Sequence, residues 1–146
     1  MNIRPGQVFL FWLLLSLLSA CGPSRQEREH SANQEFYFLE SLRQVEAGGR
    51  QLQSAGLSQQ ALTQALGMLD QGLKLAFQVE RKFLDELDLR LGKNYQRYFV
   101  AGVENYRLGI EAGDEDQQRE GLQLLSRWSL FWTAEQQVIM SRLNPG

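Results

Sequence analysis

The chain has one cysteine and one histidine in 146 residues, and each scarcity removes a class of function. A single cysteine rules out an intramolecular disulfide framework and any cysteine-rich zinc module. A single histidine, His30, leaves no Glu-x-x-His pair for a di-iron bundle and little material for a metal site or a serine relay. Charge of one sign is also missing. With 15 basic against 17 acidic side chains and a net charge of −2, the chain lacks the broadly basic face of a general nucleic-acid binder, so no nucleic-acid partner is expected. Phosphate-cradling loops are absent, because Gly48-Gly49 lies in a helical pattern with no following Lys-Ser/Thr. There is no G-x-S-x-G nucleophile turn either. Prolines fall only at Pro5, Pro23 and Pro145, so residues 24–144 run 121 positions without that helix breaker.

What is present begins at the N-terminus. After Met1-Asn2-Ile3-Arg4 comes the apolar run Val8 to Leu18, interrupted only by Ser16. Eleven helical residues span only about 16 Å, short of a hydrocarbon core of ~30 Å. A basic start, a short apolar stretch and then small residues make the layout of a secretory signal peptide. The run ends Leu18-Ser19-Ala20-Cys21-Gly22, which resembles the lipobox of bacterial lipoprotein precursors. That resemblance covers the first 22 residues or so. It implies that the Cys21 thiol takes a diacylglycerol group, that cleavage falls between Ala20 and Cys21, and that the new amino group receives an acyl chain. At ~0.8 kcal/mol per buried CH₂, two or more chains hold a protein at a membrane stably. In that family, aspartate after the cysteine favours inner-membrane retention. Gly22 stands there instead, which implies the periplasmic face of the outer membrane. Loss of residues 1–20 removes Arg4 and leaves 14 basic against 17 acidic side chains.

The remaining chain reads as all-α. Residues 24–144 hold 19 Leu and 16 Gln but only five Val, two Ile and two Thr, a balance that favours helix over strand. Ser24-Arg25-Gln26-Glu27 reads as a capping box opening a first helix that reaches about Ser54. Its early residues are so polar that 21–34 is expected to act as a lipidated tether, with the packed domain spanning 35–146. Ser58 is the expected N-cap of a second helix, with Leu57 and Leu62 at the spacing of a hydrophobic staple. Leu62, Leu66, Leu69, Leu73, Ala76, Phe83 and Leu87 form a heptad-like seam predicting one helix to about Leu91, which Gly92-Lys93-Asn94 ends or bends. A third helix is expected over 95–112 with Tyr95, Phe99, Val103, Tyr106 and Ile110 on one side and Gly102 and Gly109 admitting a close neighbour. Gly113 suits its left-handed C-terminal position, and Asp114 caps a fourth helix. That last helix carries Leu122, Leu125, Trp128, Phe131, Trp132, Val138, Ile139 and Leu143. The expectation is a small antiparallel bundle of about four helices behind a signal peptide.

Candidate chemistry is thin. His30 sits in the polar segment and reads as a solvated residue. Asp85, Glu86 and Asp88 interleave with Arg81, Lys82 and Arg90 as on a solvated helix face. Glu104 and Glu111 read the same way, while Glu80 interrupts the apolar seam, either pairing with an arginine or marking a rotation of the packed face. General acid–base work needs two carboxylates held in a dry cleft, and nothing in the spacing supplies one. The aromatic clusters are more informative. Phe36-Tyr37-Phe38 spreads three rings over about 200° of a helix, and Arg127 to Trp132 is similarly wide, so one core cannot take every ring at equal depth. The rings either fill the bundle's ends and seams or form a partner groove, for which Tyr37, Phe38, Trp128 and Trp132 are the candidates. The expected function is a non-enzymatic lipoprotein facing the periplasm, held at the membrane through Cys21 and binding a protein partner as an envelope assembly or accessory factor. No metal and no cofactor is expected beyond the covalent lipid. The alternatives are an immunity or inhibitor lipoprotein against an envelope toxin, and a carrier of a small apolar ligand in a closed cavity.

Overall fold

The computed structural model describes residues 23–54 and 58–143, and its contacts divide the chain into residues 1–30 and 31–146. The first unit supplies the start of helix α1 (Arg25–Gln53). Its capping box forms as the sequence predicts. The Ser24 hydroxyl accepts from the Glu27 amide at 3.2 Å, and the Glu27 carboxylate accepts from the Ser24 amide at 2.6 Å. Residues 25–34, expected as tether, are therefore helical. Cys21 and the signal-peptide reading lie outside the described residues, as does Leu57 of the expected staple.

In the second unit, α2 (Gln59–Ala76) opens on Ser58, whose side chain accepts from the Ala61 amide at 3.2 Å. It runs antiparallel to α1. Gly48 lies against Ala65 and Leu69, whereas Gly72 lies against Ser41 and Val45. Of the predicted seam, Leu69, Leu73, Ala76 and Leu87 are buried, while Leu62, Leu66 and Phe83 are half-buried.

That seam does not belong to one helix. The chain breaks at Phe77–Glu80, and α3 (Arg81–Leu87) follows as a separate short element. The physical reason lies on α1. Gln34, only 4% exposed, reaches the break with both ends of its amide: Nε2 donates to the Gln78 carbonyl at 3.2 Å, and Oε1 accepts from the Glu80 amide at 2.6 Å. A helix that ends inside a core leaves backbone groups without partners, and this side chain satisfies two of them. Glu80 thus marks the break, where its own backbone is extended.

A turn on Asp88 then starts the next arm, with the Leu91 amide donating to the Asp88 carbonyl at 2.9 Å. This arm comprises α4 (Leu91–Asn94), a π-helical stretch Tyr95–Val100, and α5 (Ala101–Ala112). It starts earlier than predicted, and Gly92 lies within it rather than ending the previous helix. Gly113, with φ of 68°, takes the left-handed position that favours glycine, and Asp114 caps α6 (Glu115–Leu143) through the Gln117 amide at 3.0 Å. Among the described residues the fold is all-α, with antiparallel neighbours and no strand, but with one more arm than the four expected.

The α5 and α6 backbones approach each other closely. A Cβ built on Gly121 would stand 2.4 Å from the Tyr106 backbone nitrogen, and one on Gly109 would stand 2.6 Å from that of Gln118. Gly102 and Gly109 serve the close approach expected of them, and Gly121 is the partner from the opposite helix. Leu122 and Val138, expected on the packed face of α6, are instead 50% and 45% exposed. Because backbone rather than a flexible side chain opposes Gly121, Gly121→Ala should lower stability by about 2–3 kcal/mol. Gly67→Ala on α2, where a Cβ meets nothing within 4 Å, should raise it by about 1 kcal/mol. Urea unfolding of the two variants checks both signs.

Candidate functional site

The aromatic residues singled out from the sequence sit at unequal depths. Phe36 is 57% exposed, Tyr37 half-buried and Phe38 fully buried, so three successive rings take three different environments. Phe38 meets Tyr95 and Trp132 in T-shaped contacts, with ring centroids 5.4 and 5.8 Å apart. Tyr95 stacks on Phe99 at 5.0 Å, and Trp128 stacks on Trp132 at 5.6 Å with 16° between their planes. Edge-to-face and offset contacts of this kind add about 0.5–1.5 kcal/mol each beyond the area they bury.

This arrangement corrects the partner-groove expectation. Phe38 is 0% and Trp128 6% exposed, Trp132 is half-buried in the same cluster, and Tyr37 packs at its margin beside Phe36. Phe38 and Trp128 do not line an open surface, while Tyr37 and Trp132 keep part of theirs exposed. They are core and core edge, the other reading that the sequence left open. The reason is that Phe38 and Trp128 face the same interior from α1 and α6, which their separate helical periodicities do not reveal.

At the centre of the cluster lies a polar pair. The Ser41 hydroxyl donates to the Phe38 carbonyl at 2.6 Å and sits 2.7 Å from the Tyr95 hydroxyl. Because the serine proton goes to the carbonyl, the Tyr95 phenol donates to Ser41 Oγ. Burial pushes the Tyr95 hydroxyl above its ordinary range, opposed in part by the Ser41 hydrogen bond.

The carboxylates do not assemble a catalytic pair. Asp85 binds Arg81 at 3.2 Å and Glu111 binds Arg107 at 2.8 Å, each one turn away on its own helix. Glu104 is exposed on α5, and His30 is exposed on α1. Among the described residues no three His, Cys, Asp or Glu side chains group as metal ligands.

Two surface features remain. Ala32, Glu35, Phe36, Leu39, Glu40 and Arg43 of α1 border a shallow open groove, unlike the closed cavity that an apolar-ligand carrier requires. There Glu40 is held down to about 2 by hydrogen bonds from Arg43 and then Gln44. The second feature was not visible in the sequence. Arg97 and Arg127, 30 positions apart, both place their guanidinium near the Tyr98 ring, at 5.6 and 5.9 Å from its centroid. The sequence showed Arg127 only as the flank of an aromatic run, and nothing local ties it to Tyr98.

Replacing Ser41 by Ala strands the Tyr95 hydroxyl in the core and should cost about 1–3 kcal/mol. Adding Tyr95→Phe should recover part of that loss, because no orphaned phenol remains, and a double-mutant cycle in urea measures the coupling. The raised Tyr95 pKa carries a pH dependence of definite sign. Its stabilising contribution is complete below ~pH 10, the unfolded phenol's pKa, and declines above it because the unfolded chain then releases the proton more readily. Tyr95→Phe should flatten that alkaline decline. In comparisons with known proteins, no family model, no curated protein and no solved structure matches this chain.

Proposed function

We propose that this chain is a bacterial lipoprotein that faces the periplasm from the outer membrane, performs no catalysis, and binds a protein partner as an assembly or accessory factor of the envelope. The observation that carries the reading is Leu18-Ser19-Ala20-Cys21, a lipobox-like sequence at the end of a short apolar run. Two further observations are compatible with it. Helix α1 is capped by Ser24, three residues beyond Cys21, so an anchored domain would need almost no linker. No helix among the described residues is long and apolar enough to cross a membrane, so a lipid on Cys21 would supply the attachment that no described segment does. The partner-binding part rests on the want of a catalytic constellation in the sequence, and on large exposed apolar side chains such as Phe36 and Leu130, 57% and 72% exposed.

Cys21→Ser should leave the precursor uncleaved at this site and unlabelled by radioactive palmitate, and should reduce its recovery with the outer membrane. A variant that still matures at residue 21 and still fractionates there would remove the lipoprotein reading. For the partner, photo-crosslinking groups at Phe36 and Leu130 in living cells should each trap defined adducts. Repeated absence of adducts from both faces would sink the partner-binding reading while leaving the anchor intact.

A further inference from the structure

Most cations on this surface have a carboxylate partner, and three of those that do not lie in one place. Among the described residues 31–143, Arg43, Arg50, Lys74, Arg81, Lys82, Arg90, Arg107 and Arg119 each have a carboxylate within 4.0 Å. Arg142 donates to the Leu87 carbonyl. Apart from Arg28 at the start of α1, the cations left without such a partner are Lys93, Arg97 and Arg127, and these three lie together. Lys93 and Arg97 are one turn apart on the α4–π arm, and Arg97 and Arg127 share the Tyr98 ring across the junction with α6. All three are exposed, and Leu130, one turn along α6 from Arg127, is 72% exposed.

We infer that Lys93, Arg97, Tyr98, Arg127 and Leu130 form a docking site for an acidic segment of a protein partner, one that offers two or more carboxylates beside an apolar side chain. The inference rests on the partner-binding reading above and names the chemistry of the partner. An arginine held over an aromatic ring keeps the in-plane N–H groups of its guanidinium available, and a carboxylate accepts two of them side by side. Two arginines at 5.6 and 5.9 Å from one ring centroid bring their charges to a single place, where one acidic segment can meet both. Lys93 adds a third positive charge, and Leu130 provides an apolar contact.

Charge decides the class of partner. Binding to an anionic bilayer calls for clusters of about 4–8 basic residues. Here three cations stand in a chain of net charge −2, and the acidic residues nearest to the arginines in sequence, Glu104 and Glu120, lie seven positions from Arg97 and Arg127. Three cations are too few to hold an anionic bilayer, whereas a short acidic segment needs no more than these to pair two or three carboxylates.

The test uses the full chain in neutral detergent and a fluorescein-labelled peptide of six glutamates interrupted by two leucines. Fluorescence anisotropy should show binding that weakens steeply from 50 to 300 mM salt. R97Q/R127Q should weaken it by ~10-fold or more, the scale set by losing charge-assisted hydrogen bonds. R43Q/R50Q removes the same charge from arginines already paired with Glu40 and Glu46, and should stay within twofold of the parent. Circular dichroism of both variants confirms the fold. Equal losses in the two variants would mean nonspecific attraction and overturn the site, as would no loss in R97Q/R127Q. Flotation with phosphatidylglycerol vesicles is the other arm: binding there that depends on Arg97 and Arg127, with none to the peptide, assigns the patch to lipid headgroups and overturns it too. Peptide binding at the patch with no partner crosslinked in cells would leave this site standing and remove the broader reading.

Discussion

The insertion of Phe38 between Tyr95 and Trp132 is the contact on which the rest of the domain depends. It joins the α1–α2 hairpin to the arm formed by α4, α5 and the π-helical stretch between them, and to α6. Each hairpin alone would leave an aromatic face in water. Large-to-small changes at such buried rings cost about 3–5 kcal/mol, a large share of the 5–15 kcal/mol that keeps a domain folded. Tyr95, Phe99 and Val100 are all buried, and the π-helical stretch that carries them widens the turn at the point where they meet Trp128. Gln34 plays the matching role on the other side, holding the α2–α3 break open with both ends of one amide.

The same demands account for what is polar inside. Gln34 and Ser41 are the buried polar side chains of α1, and both are fully engaged, one by backbone at the break and the other by a carbonyl and a phenol. Neither bond is worth much in net terms, but each prevents a larger penalty. The helix surfaces, by contrast, are laced with exposed pairs one turn apart, such as Arg50–Glu46 and Lys74–Asp70 at 2.7 Å for the latter, which contribute little to stability. Against that background a patch of cations without carboxylates is a departure, and the proposed docking function is a reason for it.

The features legible in the sequence are local ones. The Ser24–Glu27 capping box, the Ser58 and Asp114 caps and the Gly113 terminus depend on residues within three or four positions of one another, and the structure forms all of them. The lack of β-branched residues was enough for the fold class. The misreadings involve distant partners. An apolar period from Leu62 to Leu87, interrupted at Glu80, looks like one helix until Gln34, 44 positions before Gln78, supplies the hydrogen bonds that let the chain turn. Phe38 and Trp128 looked like candidate contact residues because each lies in an aromatic run too wide for one stripe, and only packing shows that they share an interior. The site proposed here was illegible for the same reason: Arg97 and Arg127 meet only because α6 folds back along the preceding arm.

The proposal of a lipid-held helical domain with a small basic surface for an acidic partner depends first on the chemistry of one residue, Cys21. The most direct measurement is intact mass and fragment-ion spectrometry of the chain purified from membranes of the cells that naturally produce it. The account predicts a mature N-terminus at Cys21, with the mass of a diacylglyceryl thioether on its sulfur and an acyl chain on its nitrogen. A chain that retains Met1, or that carries Cys21 as a free thiol, would contradict it.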